Sequence, residues 1–144
     1  MSSATADMLS ELVLAGASLK YALCAALPVL EARFSRSGFV TLDLLEVDLF
    51  SGTAIFIKCG APPSYIVKNG KREEIFSDSL PAGLDNEPKI FRVSLHAGDT
   101  VIMMTDGVSI RGGFSGTPRQ ICERLTRGEA NDDMTAVALR VREA

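Results

Sequence analysis

The sequence predicts an α+β fold with mainly antiparallel sheets, and three observations carry that expectation. Helical periodicity occupies the first 35 or so residues. From residue 39 onward, short alternating segments are joined by hairpin-type turns, with no regular strand–helix alternation. One further helix interrupts the strands near the end of the chain.

Residues 4–35 read as a helical hairpin. Met8, Leu9, Leu12 and Val13 recur at helical spacing, and Gly16 ends that helix. Ser18 caps a second helix with Leu19, Leu23, Leu27 and Leu30 on one side. Pro28 lies inside it and is expected to kink or divide it. The apolar face of the pair needs a sheet or a partner to cover it. After Gly38 the period changes to two. "FVTLDLLEVDL" alternates except for a slip at Leu44–Leu45, where a bulge is expected. Ser51–Gly52 turns into "TAIFIKC", and "SYIV" and "EEIF" flank Asn69–Gly70, a strong hairpin signal. "KIFRVSL" precedes a Gly98–Asp99 turn and "DTVIMMT" follows it. The stretch 111–117, "RGGFSGT", is rich in glycine and is expected to be mobile. "PRQICERLTR" opens with proline at the first helical position and carries Ile121 and Leu125. "MTAVALRV" is a last alternating strand. The β-rich region thus runs 39–142, and with the hairpin it makes a single domain, 1–144, without repeats or linkers.

Composition narrows the function classes. A chain of 144 residues is one domain or one piece of a larger one. Its 47% apolar and 23% charged residues are ordinary for a soluble globular protein. A formal charge of −3 gives nucleic-acid binding no electrostatic support. Cys24, Cys59 and Cys122 are an odd number and scattered, which fits neither a metal cluster nor a disulfide framework and points to a reducing, cytoplasmic setting. No secretory signal is visible. Lys20 divides the apolar run Leu12–Leu30 into halves well short of the ~18 residues of a membrane span, so direct membrane insertion of this segment is not expected. An anchor elsewhere in a parent protein is compatible with that. The one histidine, His96, sits in the turn-like "LHAGDT" and reads as a solvated loop residue. Catalysis by a histidine-activated nucleophile would have to pass through it and ranks low.

The chemistry gathers instead around "VIMMTDG", where a buried strand ends in an acid and a glycine. If the strand ending at Thr105 and the one beginning at Met134 are antiparallel neighbours, Asp106 and the pair Asp132–Asp133 meet at one rim of the sheet. Converging carboxylates repel unless a cation lies between them, and oxygen-only ligation favours Mg²⁺ or Mn²⁺ over zinc or copper. Such ions activate water near neutral pH, and a pair about 3.5–4 Å apart clamps a phosphoryl group during in-line attack. The alternative is structural: "DG" is a common turn and "NDD" a common loop before a strand.

"FVTLDLLEVDLFSGTAIFIKCGAPPSYIVKNGK", "SLPAGL", "GDTVIMMTDGV" and "NDDMTAVALRV", in this order, resemble the SpoIIE-like branch of the type 2C (PPM) metal-dependent protein phosphatases over roughly residues 8–142. The resemblance implies an antiparallel β-sandwich flanked by helices. It also implies hydrolysis of phosphoserine or phosphothreonine by metal-activated water, with Mn²⁺ or Mg²⁺, two ions in a complete domain. Residue by residue, Asp106 matches the metal-binding acid of the family's "TDG" motif and Asp132 the first acid of its "D-[DN]-M-T" motif. Asp133 falls at the second, variable position of that motif, a weaker metal candidate. Gly107 would keep the backbone close to the metal site and is likewise a weak candidate. "GAPPS", Gly60 to Ser64, resembles a segment on the active-site side and receives no chemistry; a proline-stiffened turn accounts for it equally well. The two N-terminal helices resemble a pair that works in this branch as a regulatory switch.

One departure stands out. The family's earlier D-G-M-G motif, whose aspartate bridges both metals, has no counterpart ahead of "MSSATADML", and Asp7 falls inside the helical pattern. The expectation is therefore the C-terminal part of a SpoIIE-like phosphatase domain, incomplete at its N-terminus, weak or inactive as this chain alone. Sheet edges left by the missing strands suggest a homodimer. By analogy the substrate is a phosphorylated signalling protein, such as an anti-sigma-factor antagonist in sporulation-type signalling. The alternative is a non-catalytic protein-interaction module of a signalling or sigma-factor regulatory pathway.

Overall fold

In the computed structural model the described residues are 2–34, 38–82, 84, 87–110, 112–128 and 132–143. The chain has the expected mixture of helices and antiparallel sheets, in two compact units. One comprises Met1–Glu46, Ile55–Gly60 and Asp78–Phe91; the other comprises Val47–Ala54, Ala61–Ser77 and Arg92–Ala144. Among the described residues there are seven strands: β1 (Leu42–Val47), β2 (Thr53–Cys59), β3 (Ser64–Lys68), β4 (Lys71–Ile75), β5 (Lys89–Ser94), β6 (Thr100–Met104) and β7 (Ala136–Arg140). They form a three-stranded sheet in the order β1–β2–β5 and a four-stranded sheet in the order β4–β3–β6–β7.

In the first unit, α1 (Ser2–Leu14) and α2 (Leu19–Phe34) form the expected hairpin. Gly16 closes it at φ +95°, a left-handed conformation suited to glycine. The Ser18 hydroxyl accepts from the Tyr21 amide at 3.4 Å. The first-turn amide of Leu19 donates to Glu46 Oε2 at 3.0 Å, placing a carboxylate at the helix N-terminus. Pro28 does not divide α2. Pro28 and Cys24, whose carbonyl loses its helical donor, both face outward, where water can satisfy that carbonyl. Meanwhile Ala22, Leu23, Ala26, Leu27 and Leu30 hold the other face in a core with Leu9, Val40, Leu42, Ile57, Cys59 and Ala82. Among the described residues no helix is long and apolar enough to cross a membrane.

Strand β2 is buried from Phe56 to Cys59, including the charged Lys58. Lys58 Nζ lies 2.7 Å from Asp43 Oδ2 on the neighbouring strand. Burial lowers the ammonium's pKa, while the hydrogen bond and charge of Asp43 act the other way. Burial also pushes the Cys59 thiol up to about 11. Beyond β2, "GAPPS" has a packing role. A side chain at Gly60 would collide with Pro81, 2.6 Å from its backbone nitrogen, and Gly60 has φ +61°. The Gly60 amide also donates to the Ser79 hydroxyl at 3.3 Å.

In the second unit, Asn69 and Gly70 both have positive φ, 49° and 76°, as a two-residue hairpin turn of the primed type requires. β3 pairs with both β4 and β6, and β6 pairs with β7, all antiparallel. The helix α3 (Pro118–Leu125) starts on a capping box: Thr117 accepts from the Gln120 amide, and the Gln120 side chain accepts from the Thr117 amide. Its Ile121 and Leu125 pack with Tyr65, Ile102, Met104 and Phe114. Phe114 gives the glycine-rich stretch an anchor that its composition conceals. Its ring centroid lies 5.0 Å from that of Tyr65. Arg111, the first residue of that stretch, lies outside the described residues.

Candidate metal-binding rim

The site is built where β6 and β7 run out together. Their register ends with Met104 opposite Ala136. One step beyond, the Thr105 amide donates to the Thr135 carbonyl at 2.9 Å. The Thr105 hydroxyl then closes the rim, accepting from the Thr135 amide at 2.9 Å and donating to the Asp133 carbonyl at 3.2 Å. The chain turns at once, with the Val108 amide donating to the Thr105 carbonyl at 3.1 Å. Asp106 and Gly107 occupy the two central positions of that turn.

Gly107 shows how close the two segments come. A β-carbon at this position would lie 2.6 Å from the Asp133 carbonyl oxygen and 3.2 Å from that of Asp132. Only a residue without a side chain lets the "TDG" turn rest against the backbone of Asp132 and Asp133. The structure thus brings Asp106, Gly107, Asp132 and Asp133 to one rim although they lie far apart in the chain. Asn131, which precedes the acid pair, lies outside the described residues.

All three aspartates are exposed. The Asp132 carboxylate is turned along its own chain, Oδ1 accepting from the Asp133 amide at 2.8 Å. Among the described residues no group of three or more histidine, cysteine or acidic side chains gathers at one point. The rim's donors are carboxylate and carbonyl oxygens with neither imidazole nor thiolate, and that chemistry fits a hard divalent cation. His96 is not part of it; its side chain is 79% exposed, with Nδ1 3.8 Å from Asp99 Oδ2.

Sequence reasoning passed over Thr105. It stands in the quoted "TDG", but only the structure shows that its hydroxyl links the two segments. The Lys58–Asp43 pair was also missed, because an alternating strand with one lysine reads as half exposed.

The family model described as stage II sporulation protein E (SpoIIE) matches residues 1–121. Stage II sporulation protein E of Bacillus subtilis (strain 168) is 28% identical over 165 aligned positions, covering 97% of this chain. The chain spans 20% of that relative's length. Among solved structures, the manganese-presoaked phosphatase domain of the cell-fate determinant SpoIIE from Bacillus subtilis is similar at 27% identity and a TM-score of 0.64. That match covers 97% of this chain and 73% of the other. The RsbU and RsbW domains of Rv1364c from Mycobacterium tuberculosis match in fold, with a TM-score of 0.78 at 22% identity, over 97% of this chain and 46% of theirs.

Proposed function

Because the chain belongs to the SpoIIE family, we propose that it serves a PPM-type protein serine/threonine phosphatase domain and that Asp106 and Asp132 are its contribution to the divalent-metal site. One observation carries this reading: Gly107 lies so close to the Asp132 and Asp133 carbonyls that a β-carbon would not fit. That approach sets the turn bearing Asp106 against the segment bearing Asp132, as a site drawing ligands from both segments requires.

Each residue then has a task. Asp106, on the turn leaving β6, and Asp132, on the segment entering β7, would supply hard anionic oxygens to Mn²⁺ or Mg²⁺. Asp133 gives its carbonyl to the Thr105 hydroxyl and so fixes the distance between the two segments. Its carboxylate is a secondary candidate. When bound, a divalent cation supplies positive charge that acidifies water and offsets the charge of a phosphoryl group. The chain's own residues hold that charge at the rim and leave it open to solvent, where a phosphorylated segment of a signalling protein can reach it. An anti-sigma-factor antagonist is the substrate class proposed by analogy with the family.

Thermal unfolding with added Mn²⁺ tests the assignment. The chain is expected to gain stability with Mn²⁺, and Asp106→Asn and Asp132→Asn are each expected to lose that gain while unfolding normally without metal. An equal Mn²⁺ response in all three proteins would overturn the ligand assignment. Indifference of the unmodified chain would favour a non-catalytic interaction module.

A further inference from the structure

At the opposite end of the same sheet stands a cluster of the other sign. Arg72 pairs with Val67, Val67 with Thr100, and Thr100 with Arg140, one row across all four strands. Paired residues of antiparallel strands share a face. Arg72 and Arg140 therefore stand at the two ends of this row, on the face that Phe114 and α3 cover. Five residue steps along the strand, about 17 Å, separate Thr100 from Thr105 at the acidic rim.

The loop 113–116 is held over this row by three guanidiniums. Arg72 lies over the rings of Tyr65 and Phe114, 5.2 and 5.9 Å from their centroids. Arg124 donates to the Ser115 carbonyl. Arg140 donates to the Gly116 carbonyl and, through Nε, to the Thr100 hydroxyl at 2.8 Å. Two cavities open on either side of Ser115. One, about 330 Å³, is bounded by Arg72 and Phe114; the other, about 310 Å³, by Arg124 and Arg127. The carboxylate in the second, Glu123, is engaged with Arg119 Nε at 2.8 Å. Beside the first, Glu73 follows Arg72 in the chain and is engaged with Lys68 Nζ at 3.4 Å, while Glu74 lies opposite Tyr65 on the cluster's face.

A guanidinium carries five donors. Holding a loop carbonyl uses one or two, and stacking on rings uses none. The cluster therefore has more donor capacity than the loop consumes. Its forks match carboxylates in paired hydrogen bonds, where a lysine would offer only a point charge. Alternate side chains of an extended peptide are about 7 Å apart, a spacing suited to neighbouring cavities divided by one residue. The chain's formal charge of −3 opposes long polyanions and anionic bilayers, so local positive charge of this kind selects a short acidic segment. We infer that the arginine cluster around Ser115 is a docking site for a short acidic peptide segment of a partner protein, separate from the Asp106 rim. The inference stands apart from the phosphatase reading, since it concerns binding and not turnover.

The test is fluorescence anisotropy of a fluorescein-labelled hexaglutamate peptide with the whole chain at low salt. Saturable binding is expected, weakened about tenfold by Arg127→Glu, the loss of one charge-assisted contact. Arg127→Gln should weaken it in the same direction and guards against misfolding of the first variant. Lys20→Glu, the same change of charge on α2, should leave it within about twofold. Absence of saturable binding would overturn the inference. So would an equal loss in Lys20→Glu, which would reduce the effect to net charge. Equally tight binding of a hexathymidylate or of phosphatidylserine vesicles would overturn the acidic-peptide assignment.

Discussion

Replacing Gly107 with alanine adds one methyl group where the structure has no room for it. The new carbon would lie 2.6 Å from the Asp133 carbonyl oxygen, and ordinary contact begins near 3.4 Å, so the two segments must part by about 0.8 Å. Both sides of the clash are backbone, which no rotamer change relieves. Overpacking of this kind costs about 1–3 kcal/mol. The alanine recovers about 0.4–1 kcal/mol by restricting the unfolded chain. A net loss of about 1–2 kcal/mol lowers the melting temperature of a domain this size by roughly 3–8 °C. Gly113→Ala is the matched control, since a β-carbon there meets nothing within 4 Å. Thermal unfolding followed by circular dichroism compares the two. Parting the segments also separates Asp106 from Asp132, so stabilisation by Mn²⁺ should fall further than the melting temperature alone explains. If Gly107→Ala melts no lower than Gly113→Ala and keeps its full response to Mn²⁺, the close approach is irrelevant to the site.

Two further substitutions probe the supports. Thr105→Val keeps the shape but removes the hydroxyl that bonds the Thr135 amide and the Asp133 carbonyl. A loss of about 1 kcal/mol, with a weaker Mn²⁺ response, is expected by thermal unfolding, and Thr105→Ser should restore both. Asp43→Ala removes the carboxylate 2.7 Å from the fully buried Lys58 ammonium, at a cost of about 3–5 kcal/mol near neutral pH. The sign of its pH dependence follows from the lysine. Burial holds the folded-state pKa below the ordinary 10.5, so between the two values the unfolded chain binds more protons and stability rises with pH. Loss of Asp43 lowers the folded pKa further and widens that window downward. The variant's deficit should therefore be smaller at about pH 9.5 than at about pH 7, and a deficit independent of pH would show that Lys58 is not the cause.

Local signals carried most of the element order. Asn69–Gly70 specifies its turn through backbone geometry, and Thr117 with Gln120 fixes the start of α3, so both are legible at short range. That β6 and β7 are antiparallel neighbours is only a supposition at the level of sequence, and the register of Met104 on Ala136 bears it out. Features that depend on distant residues escaped. A proline inside α2 predicts a break only if its cost outweighs the buried leucines on the opposite face. Lys58 is buried because Asp43 stands across from it, a pairing that alternation cannot reveal. In the glycine-rich stretch, composition counts glycines and does not reveal that Phe114 packs against Tyr65.

The four-stranded sheet explains how an acidic rim and a basic cluster coexist on one small unit. Both draw on the same strands, β6 and β7, but from opposite ends: the rim from where β6 ends and β7 begins, the cluster from where β6 begins and β7 ends. Antiparallel pairing sets the end of β6 beside the start of β7, so a charge at either terminus meets a partner from a distant part of the chain. Gly107 against Asp132 and Asp133, and Thr100 beside Arg140, are two consequences of that single register. A slip of β7 by one residue would turn Arg140 to the other face and carry the acids away from Gly107 in the same movement. Stability of the β6–β7 ladder is therefore a requirement common to both sites. Alterations that weaken it, Thr105→Val among them, should be felt at the acidic rim before they unfold the domain.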